Sequence, residues 1–369
     1  MSGLSDGAVN EQEAMARAIK LARRGWGQVA PNPLVGTVLL KDGQVIAEGY
    51  HAGFGKPHAE LAALAACGAP EGATCVVNLE PCTHAGKTPP CTDALVSAGV
   101  KRVVFGVRDP HPDARGGADR LRQSGVEVEE GLLREEAAAL NAPFLWAHAR
   151  PERPFIALKV ATSLDGLLAD QGGQSKWISG TEAREFVHWL RAGFDAIAVG
   201  RRTVEVDDPL LTVRGPVEPR VPPSRVVISR SGMLRRNRQV VRTAKEIPTI
   251  VVTSSHMRDQ TEADLAKTGV TVLGADGMEE VAAALRQAGV QSVLVEGGGS
   301  LAGALLEAHL VDRIYWIQAP LWLGVGVPAF GDREGMPLEN TIRWAVTERR
   351  GLGQDTLLVV DRELCLPGS

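Results

Sequence analysis

Four cysteines lie within 25 residues of the N-terminal half, and they constrain the possible folds more than any other feature of the chain. Two of them, Cys82 and Cys91, enclose a stretch rich in Pro, Gly and Thr, and His58-Ala59-Glu60 precedes both. Residues 1–10 lack the basic and apolar runs of a signal peptide, so we expect a cytoplasmic protein whose cysteines serve metal binding or reactivity. The fold must therefore bring residues 58, 82 and 91 together.

The chemistry of this group points to zinc. Imidazole nitrogen and thiolate sulfur are preferred ligands of Zn²⁺, and three protein ligands leave one tetrahedral position open to a water whose pKa can fall to about 7. His58, Cys82 and Cys91 are the candidate ligands. Zinc deaminases place a glutamate that is not a ligand beside that water to move protons, and Glu60 fits this role. The residues therefore predict zinc-dependent deamination.

Other interpretations of the group stay open at this stage. A structural zinc site would need a fourth protein ligand, for which His51, Cys75 and His84 are candidates, but it leaves Glu60 unexplained. If the two cysteines were only small buried hydrophobic residues, the turn residues between them would have no explanation. The remaining thiols are interpreted as core or incidental: Cys67, Cys75 and Cys365.

The spacing of the cysteines separates this chain from deaminases that act on nucleic acids. Eight residues lie between Cys82 and Cys91, where the general signature has two. The formal net charge of −4 also argues against a protein that holds a polyanion by electrostatics. A nucleic-acid base deaminase with an accessory domain and a zinc-stabilised binding module without activity remain as alternatives. We expect no nucleic-acid partner and no membrane association.

The length of 369 residues predicts about two domains. Residues 149–154 are rich in proline and charge and suit an exposed linker, so we place a deaminase domain at 1–148 and a second domain at 155–369. Helical and strand-like segments alternate on both sides of the linker, which predicts α/β domains. The predicted helices are 11–24, 58–67, 91–98, 118–123, 134–148, 181–191, 278–287 and 301–308. The predicted strands are 35–40, 45–50, 74–79, 102–107, 126–130, 155–161, 196–199, 225–229, 249–253, 270–273, 292–295 and 314–318.

A glycine turn at residues 297–299 stands between a predicted strand and a predicted helix. This geometry lets backbone amides bind a phosphate, and the run formally matches G-x-G-x-x-A. The turn lies far from a first βαβ unit, and no acidic residue suited to a ribose follows about 20 positions on, so the match to a Rossmann motif is weak. The residues alone leave a phosphate site and a simple tight turn equally open.

Several motifs of the chain occur, in the same order, in a known family. They are Pro31-Asn32-Pro33-Leu34-Val35-Gly36, Gly49-Tyr50-His51, Gly55, His58-Ala59-Glu60, the loop from Cys82 to Cys91, residues 159–166, Asp207-Asp208-Pro209, residues 211–214 and Glu296-Gly297-Gly298. Together they cover nearly the whole chain and resemble the RibD family of bifunctional riboflavin biosynthesis proteins. Two positions depart from the family pattern: Ser229-Arg230 stands where Asp-Ser is usual, and His111 where Asn is usual.

The resemblance implies a fold and two consecutive activities. The N-terminal domain would be a cytidine-deaminase-like three-layer domain, and the C-terminal domain would resemble dihydrofolate reductase. The first would hydrolyse the amino group of 2,5-diamino-6-ribosylamino-4(3H)-pyrimidinone 5′-phosphate with one zinc ion. The second would reduce the ribosyl group to a ribityl side chain with NADPH. We also expect a homo-oligomer.

The resemblance also implies site residues. It carries zinc binding to His58, Cys82 and Cys91 and proton transfer to Glu60. It implies that NADPH contacts Ala161, Trp177, Thr203, Asp207, Gly298, Gly299, Ser300, Leu301, Ala302, Gly303 and Ala304. It implies that the ribotide contacts Ser175, Arg191, Leu211, Arg214 and Glu296, with Lys159 as a further candidate. Guanidinium groups bind phosphate oxygens in pairs, so Arg191 and Arg214 are candidate phosphate ligands, although Arg191 could instead complement a helix dipole and Leu211 and Trp177 could be core residues.

Overall fold

A computed structural model describes residues 8–84, 89–215, 217–331, 337–341 and 343–362, so Cys365 lies outside the described residues. The described chain falls into two compact units that separate between Ala149 and Arg150. Each unit has its own sheet and its own hydrophobic core.

The first unit alternates helices and strands around a mixed sheet. Within the described residues its strand order is β2-β1-β3-β4-β5, antiparallel from β2 to β3 and parallel from β3 to β5. Its strands are β1 (Gly36–Lys41), β2 (Gln44–Tyr50), β3 (Thr74–Leu79), β4 (Arg102–Val107) and β5 (Glu127–Glu130). Its helices are α1 (Glu11–Ala22), α2 (Ala59–Ala66), α3 (Cys91–Ser97), α4 (Gly117–Gln123), α5 (Arg134–Leu140) and α6 (Ala142–Ala149).

Helices cover both faces of this sheet. Alternate residues of a strand point to opposite faces, so Cys75, Val77 and Phe105 pack together with Ala63 of α2 and Leu121 of α4 on one side. On the other side α1 and α5 contact the sheet. Helix α1 lies so close that a Cβ atom on Gly36 would be 2.1 Å from the carbonyl oxygen of Ala18. The result is a three-layer α/β/α unit.

The predicted helix over 134–148 is two helices, and the break between them has a physical cause. Asn141 ends α5, and its buried side chain reaches the chain that enters β1. Its Oδ1 accepts a hydrogen bond from the Leu34 amide at 2.8 Å, and its Nδ2 donates to the Leu34 carbonyl at 2.9 Å. Pro143 lacks the amide hydrogen that a continuous helix would use here. The long-range bonds to Leu34 stabilise the break.

The second unit is built on a larger sheet, which within the described residues has the order β11-β10-β9-β8-β12-β6-β13-β16-β15. It is parallel from β11 to β13 and antiparallel beyond. Its strands are β6 (Phe155–Thr162), β7 (Leu167–Asp170), β8 (Ala196–Gly200), β9 (Ser224–Ile228), β10 (Thr249–Thr253), β11 (Val270–Gly274), β12 (Ser292–Val295), β13 (Arg313–Gln318), β14 (Gly326–Pro328), β15 (Ala345–Leu352) and β16 (Asp355–Asp361), of which β7 pairs with β14 alone. Its helices are α7 (Thr181–Arg191), α8 (Arg201–Asp207), α9 (Gln239–Arg242), α10 (Arg258–Asp264), α11 (Met278–Gln287) and α12 (Gly299–Glu307).

The central parallel strands β8, β10 and β12 are buried on both faces, in agreement with their apolar runs, whereas the edge strand β11 is only partly buried. Because parallel strands end at the same edge of a sheet, the chain leaves β6, β8, β9 and β12 side by side. This edge collects residues 162–166, 201–203, 229–230 and 296–299. None of the helices in the described ranges is both long and apolar enough to cross a lipid bilayer.

The Asn141 contact gives a stability prediction. Replacing Asn141 with Ala leaves the buried Leu34 amide without its acceptor, while the Leu34 carbonyl keeps a bond from Asn78. We expect the first unit to lose about 1–3 kcal/mol of unfolding free energy, measured by urea denaturation. The exposed Gln123→Ala on α4 is the control and should change stability by less than about 0.5 kcal/mol. Equal stability of both variants would contradict this role for Asn141.

Candidate active site

The candidate zinc ligands converge at the carboxyl end of β3. His58 caps the start of α2, Cys91 is the first residue of α3, and Cys82 follows β3 by three positions. They adjoin a cavity of about 200 Å³. The cavity is lined by Asn32, Pro33, Val35, His51, His58, Glu60, Leu79, Glu80, Cys82, His84, Asp109, His111, Ala114 and Phe144.

The ligand atoms have the spacing that a tetrahedral metal requires. The Nδ1 atom of His58 is 3.3 Å from Sγ of Cys91 and 3.5 Å from Sγ of Cys82. A tetrahedral zinc ion with bonds of about 2.0–2.3 Å would separate its nitrogen and sulfur ligands by about 3.5 Å. Within the described residues this trio is the one cluster of three or more such side chains whose donor atoms lie within 4.8 Å of one another. The donor set and its geometry fit zinc.

The charge state of the two thiols also suits metal binding. The Cys91 thiol and the Cys82 sulfur share a hydrogen bond, which lowers the pKa of Cys82 and raises the pKa of Cys91. The hydrogen bond to His58 and the Cys91 amide, 3.5 Å from Sγ of Cys82, also favour the Cys82 thiolate. Cys82 is therefore the more readily deprotonated thiol of the two, and a metal ion that displaces the shared proton would complete the pair of thiolates.

Glu60 is buried in the first turn of α2 and lines the same cavity. Burial raises the pKa of its carboxyl group to about 7, and the nearby charge of Cys82 adds to the shift. A carboxyl group with a pKa near the working pH can both accept and donate a proton. Glu60 therefore has the position and the acidity of a proton shuttle.

His51 is close to His58 but is engaged elsewhere. Its ring lies edge-on to that of His58, with 5.6 Å between the ring centres. Its Nδ1 is 3.0 Å from the Pro57 carbonyl, and its Nε2 is 3.1 Å from the Asn32 side-chain amide. With Nδ1–H donating and Nε2 accepting, His51 is neutral, and burial lowers its pKa. Within the described residues, the metal-ligand cluster does not include His51, Cys75 or His84. A structural zinc site with four protein ligands therefore has no support there.

The cavity is also lined by residues that the motifs did not single out as site residues. Asp109 and His111 lie in the chain that leaves β4. Burial raises the pKa of Asp109 to about 6, partly offset by the hydrogen bond from the His111 amide to its Oδ1. The sequence signal was present in Asp109-Pro110-His111-Pro112, but its relation to residues 58–91 depends on the parallel pairing of β3 with β4.

In the second unit, the glycine turn lies at the carboxyl edge of the sheet and leads into α12. Gly298 has a φ of 62°, and a Cβ on Gly297 would lie 2.9 Å from Oγ1 of Thr203. Gly298 and Ser300 are exposed at the start of α12, whose first amides can bind an anion. Thr203 and the turn are thus together, as the resemblance implied. Leu301 and Ala302 instead pack in the core.

A buried ion pair joins two candidate ribotide residues at the same edge. Arg191 donates from Nε and Nη2 to the carboxylate of Glu296 at 2.5 and 2.9 Å, and from Nη1 to the Thr212 carbonyl at 2.8 Å. Lys159 lies 3.7 Å from the same carboxylate. Burial alone would raise the pKa of Glu296, but Arg191 and Lys159 lower it to about 2. Arg191 therefore binds the Glu296 carboxylate. A phosphate contact would have to use the guanidinium hydrogens of Arg191 that are not engaged in these bonds.

The other candidate residues of this unit differ in burial. Leu211 is buried in a core cluster that includes Val204 of α8. Arg214 is exposed, and its amide donates to Nδ1 of His188 at 3.1 Å. Trp177 is 71% exposed, so it is not a core residue, and Arg184 stacks on its ring. Ser175 is exposed near it, Asp207 is exposed at the end of α8, and Ala161 is half-buried on β6.

Known protein families and sequences match both units of the chain. A model of the cytidine and deoxycytidylate deaminase zinc-binding region matches residues 8–107, and a model of the RibD C-terminal domain matches residues 154–358. Riboflavin biosynthesis protein RibD of Aquifex aeolicus is 38% identical over 357 residues, covering 95% of this chain and 98% of the relative. The RibD protein of Escherichia coli is 38% identical over 369 residues, covering 95% and 99%.

Solved structures agree as well. The crystal structure of a diaminohydroxyphosphoribosylaminopyrimidine deaminase/5-amino-6-(5-phosphoribosylamino)uracil reductase from Thermotoga maritima is 36% identical and superposes with a TM-score of 0.81, covering 95% of this chain and 98% of that one. RibD of Acinetobacter baumannii is 37% identical with a TM-score of 0.79 and the same coverage. The predicted fold class, a deaminase-like unit followed by a reductase-like unit, is confirmed.

The Glu296 pair gives a pH-dependent stability prediction. Because the folded pKa of about 2 lies below the ordinary value of about 4.3, the ionised carboxylate stabilises the unit above that ordinary value. This stabilisation is lost as the pH falls from about 4.3 towards 2. Glu296→Gln leaves Arg191 buried without its partner and should cost about 3–5 kcal/mol at pH 7. Calorimetry of the second unit's transition at pH 7 and pH 3 should show a smaller gap between variant and wild type at pH 3. The exposed Glu262→Gln should show little loss at either pH, and a gap that does not shrink would contradict the ion-pair account.

Proposed function

The chain belongs to the RibD family of riboflavin biosynthesis proteins, as its sequence predicts, and we propose that its two units act in turn on one pyrimidine ribotide. It is a bifunctional deaminase and reductase that uses zinc and NADPH. The proposed first substrate is 2,5-diamino-6-ribosylamino-4(3H)-pyrimidinone 5′-phosphate, which loses an amino group by hydrolysis. In the second step the ribosyl group is reduced to a ribityl side chain. The observation that carries the first step is that the buried Glu60 lines the same cavity as His58 and Cys82, which form one cluster with Cys91.

In the first unit we assign zinc binding to His58, Cys82 and Cys91 and proton transfer to Glu60. A zinc ion held by these three residues would supply Lewis acidity and activate a water for hydrolysis. The carboxyl group of Glu60 accepts a proton from the attacking water and delivers protons to the ring and to the departing ammonia. Burial of the site excludes bulk water, which strengthens each of these electrostatic contacts.

Glu60→Gln tests the first assignment. The amide keeps the size of the side chain but cannot move protons, so deamination should slow by roughly 10² to 10⁴. Bound zinc should stay near one ion per chain, because no ligand changes, and reduction of pre-deaminated ribotide should stay within about 2-fold of wild type. Removal of zinc with a chelator should abolish deamination in the wild type and spare reduction. Deamination at the wild-type rate in the Gln variant would refute the role of Glu60.

In the second unit we assign cofactor binding to the turn at residues 298–300 together with Thr203. NADPH supplies the hydride, so the protein's task is to orient cofactor and ribotide. Ala161, Trp177, Asp207 and residues 301–304 are proposed to shape this site around the turn. For the ribotide we propose the exposed Arg214 as the main phosphate ligand, supported by Ser175 and Leu211. The pair of Arg191 and Glu296 would present a rigid polar wall to the substrate.

Arg214→Ala tests the second assignment. Loss of a charge-assisted phosphate contact should raise the KM of the reduction step by about 10- to 100-fold with a smaller change in kcat, and leave deamination unchanged. Steady-state kinetics with pre-deaminated ribotide measures this. Arg220→Ala, which removes an exposed charge six residues further on, is the control and should change the KM by less than about 2-fold. A large loss of deamination in Arg214→Ala would overturn the assignment.

Two broader expectations belong to this proposal. We propose that the protein forms a homo-oligomer. We also propose that it is cytoplasmic, since both ribotide and NADPH are cytoplasmic metabolites. Analytical ultracentrifugation of the purified chain at micromolar concentration measures the oligomeric state. A monomer there would remove the oligomer from the proposal and leave the two activities untouched.

A further inference from the structure

Glu80 is a buried acidic residue of the deaminase unit that the proposed chemistry does not use. It follows β3 directly and precedes Pro81-Cys82, and its relative exposure is 4%. Its amide donates to the Val107 carbonyl at 2.8 Å, which extends the pairing of β3 with β4 by one step. Its side chain lines the same cavity as Glu60. A buried carboxylate needs partners that compensate for the lost hydration, and these partners indicate its role.

The carboxylate of Glu80 binds both ends of one loop. Its Oε2 accepts a hydrogen bond from the Asp109 amide at 3.1 Å, and its Oε1 accepts one from the Ala118 amide at 2.9 Å. The first and the last residue of segment 109–118 therefore both bind the side chain of Glu80. A compact surface loop whose two ends lie close together is an Ω-type loop, a common carrier of binding residues.

Further contacts fasten the middle of this loop to the residues around Cys82. The Thr83 amide donates to the Ala114 carbonyl at 3.2 Å, and the Thr83 hydroxyl donates to the Arg115 carbonyl at 3.1 Å. Near its end, a Cβ on Gly117 would lie 1.9 Å from the Pro81 carbonyl oxygen, so the loop fits this site only with glycine there. The loop and the segment from Glu80 to Thr83 thus form one interlocked structure.

This loop forms one wall of the cavity through Asp109, His111 and Ala114. We propose that Glu80 is a positioning residue of the deaminase, which holds the loop of residues 109–118 closed so that Asp109 and His111 face the ribotide. The inference rests on the proposed deamination, since it names what orients the substrate in that site. Cys82 has a separate anchor, because the Thr92 hydroxyl and amide both donate to its carbonyl at 3.2 and 3.3 Å. Glu80 therefore acts on substrate binding and leaves zinc binding to other contacts.

Glu80→Gln tests this role with little change of shape. A Gln side chain has one carbonyl oxygen and one NH₂ group, so it can accept from one of the two amides and presents a donor to the other. In the zinc-loaded full chain we expect the KM for the ribotide to rise about 10-fold or more, with kcat within about 3-fold. We expect a matching rise in the hydrogen-exchange rate of peptides covering residues 108–119, with bound zinc near one per chain. The exposed Glu127→Gln is the control and should change none of these.

Gly117→Ala tests the same loop without altering the carboxylate. The added methyl group collides with the Pro81 carbonyl oxygen, so it should open the loop at its far end and reproduce the rise in KM and in hydrogen exchange. Gly68→Ala is the matched control, since a Cβ there meets no atom within 4 Å. If Glu80→Gln does not yield folded protein, judged by loss of reduction as well, Gly117→Ala decides the question.

The outcomes separate this inference from the proposed function. A lower melting temperature in Glu80→Gln with unchanged KM and unchanged exchange in residues 108–119 would show that Glu80 only stabilises the fold, and would overturn the proposal. Loss of zinc in that variant would overturn it as well, because the carboxylate would then act on the metal site. Absence of deamination in the wild-type chain would refute the proposed function, while the exchange measurement would still show whether Glu80 holds the loop.

Discussion

The deaminase site depends on the hydrogen bonds and close contacts that hold the carboxyl end of β3. Three structures meet at that end: the start of α2 with His58 and Glu60, the start of α3 with Cys91, and the loop that follows β4. Parallel pairing of β3 with β4 places the two strand ends side by side, and the Glu80 carboxylate then holds the loop beyond β4 against the segment that leads to Cys82. The site is thus built on rigid elements, which gives the ligands a spacing that suits a small tetrahedral ion.

In the second unit, a different group of contacts fixes the residues at the carboxyl edge of the sheet. Its parallel strands end at one edge, where Gly297 packs on Thr203 and Glu296 is held by Arg191 and Lys159. The buried ion pair fixes the positions of both side chains at this edge, and it stabilises the unit while Glu296 is ionised. A reaction whose reactive group is supplied by the cofactor requires this kind of positioning. Each unit therefore provides a separate chemical environment, acidic and metal-binding in the first and cationic in the second.

Much of this could be predicted from the sequence, and the exceptions have physical causes. The strands over 74–79 and 102–107 and the residues His58, Glu60, Cys82 and Cys91 carry local signals, because apolar runs and metal ligands are recognisable within short windows. The break at Asn141, the role of Glu80 and the pairing of Arg191 with Glu296 depend on partners 29 to 107 residues distant, which no local pattern contains. Strand β15 was not predicted, since it is an edge strand with several exposed charged residues and lacks an apolar run. Strand β16 was also not predicted, although residues 357–360 form an apolar run that the sequence does contain. The role assigned to Leu211 stays a prediction, although its side chain packs in the core.

The central claim is that one chain performs deamination and then reduction on the same ribotide. Mass spectrometry of the products, after incubation of the purified zinc-loaded chain with the diaminopyrimidinone ribotide with and without NADPH, tests it most directly. We predict exchange of one amino group for oxygen in both reactions and a gain of two hydrogens only when NADPH is present. Exchange without any gain of hydrogen would contradict the assignment of the second unit, and no change in mass in either reaction would contradict the account as a whole.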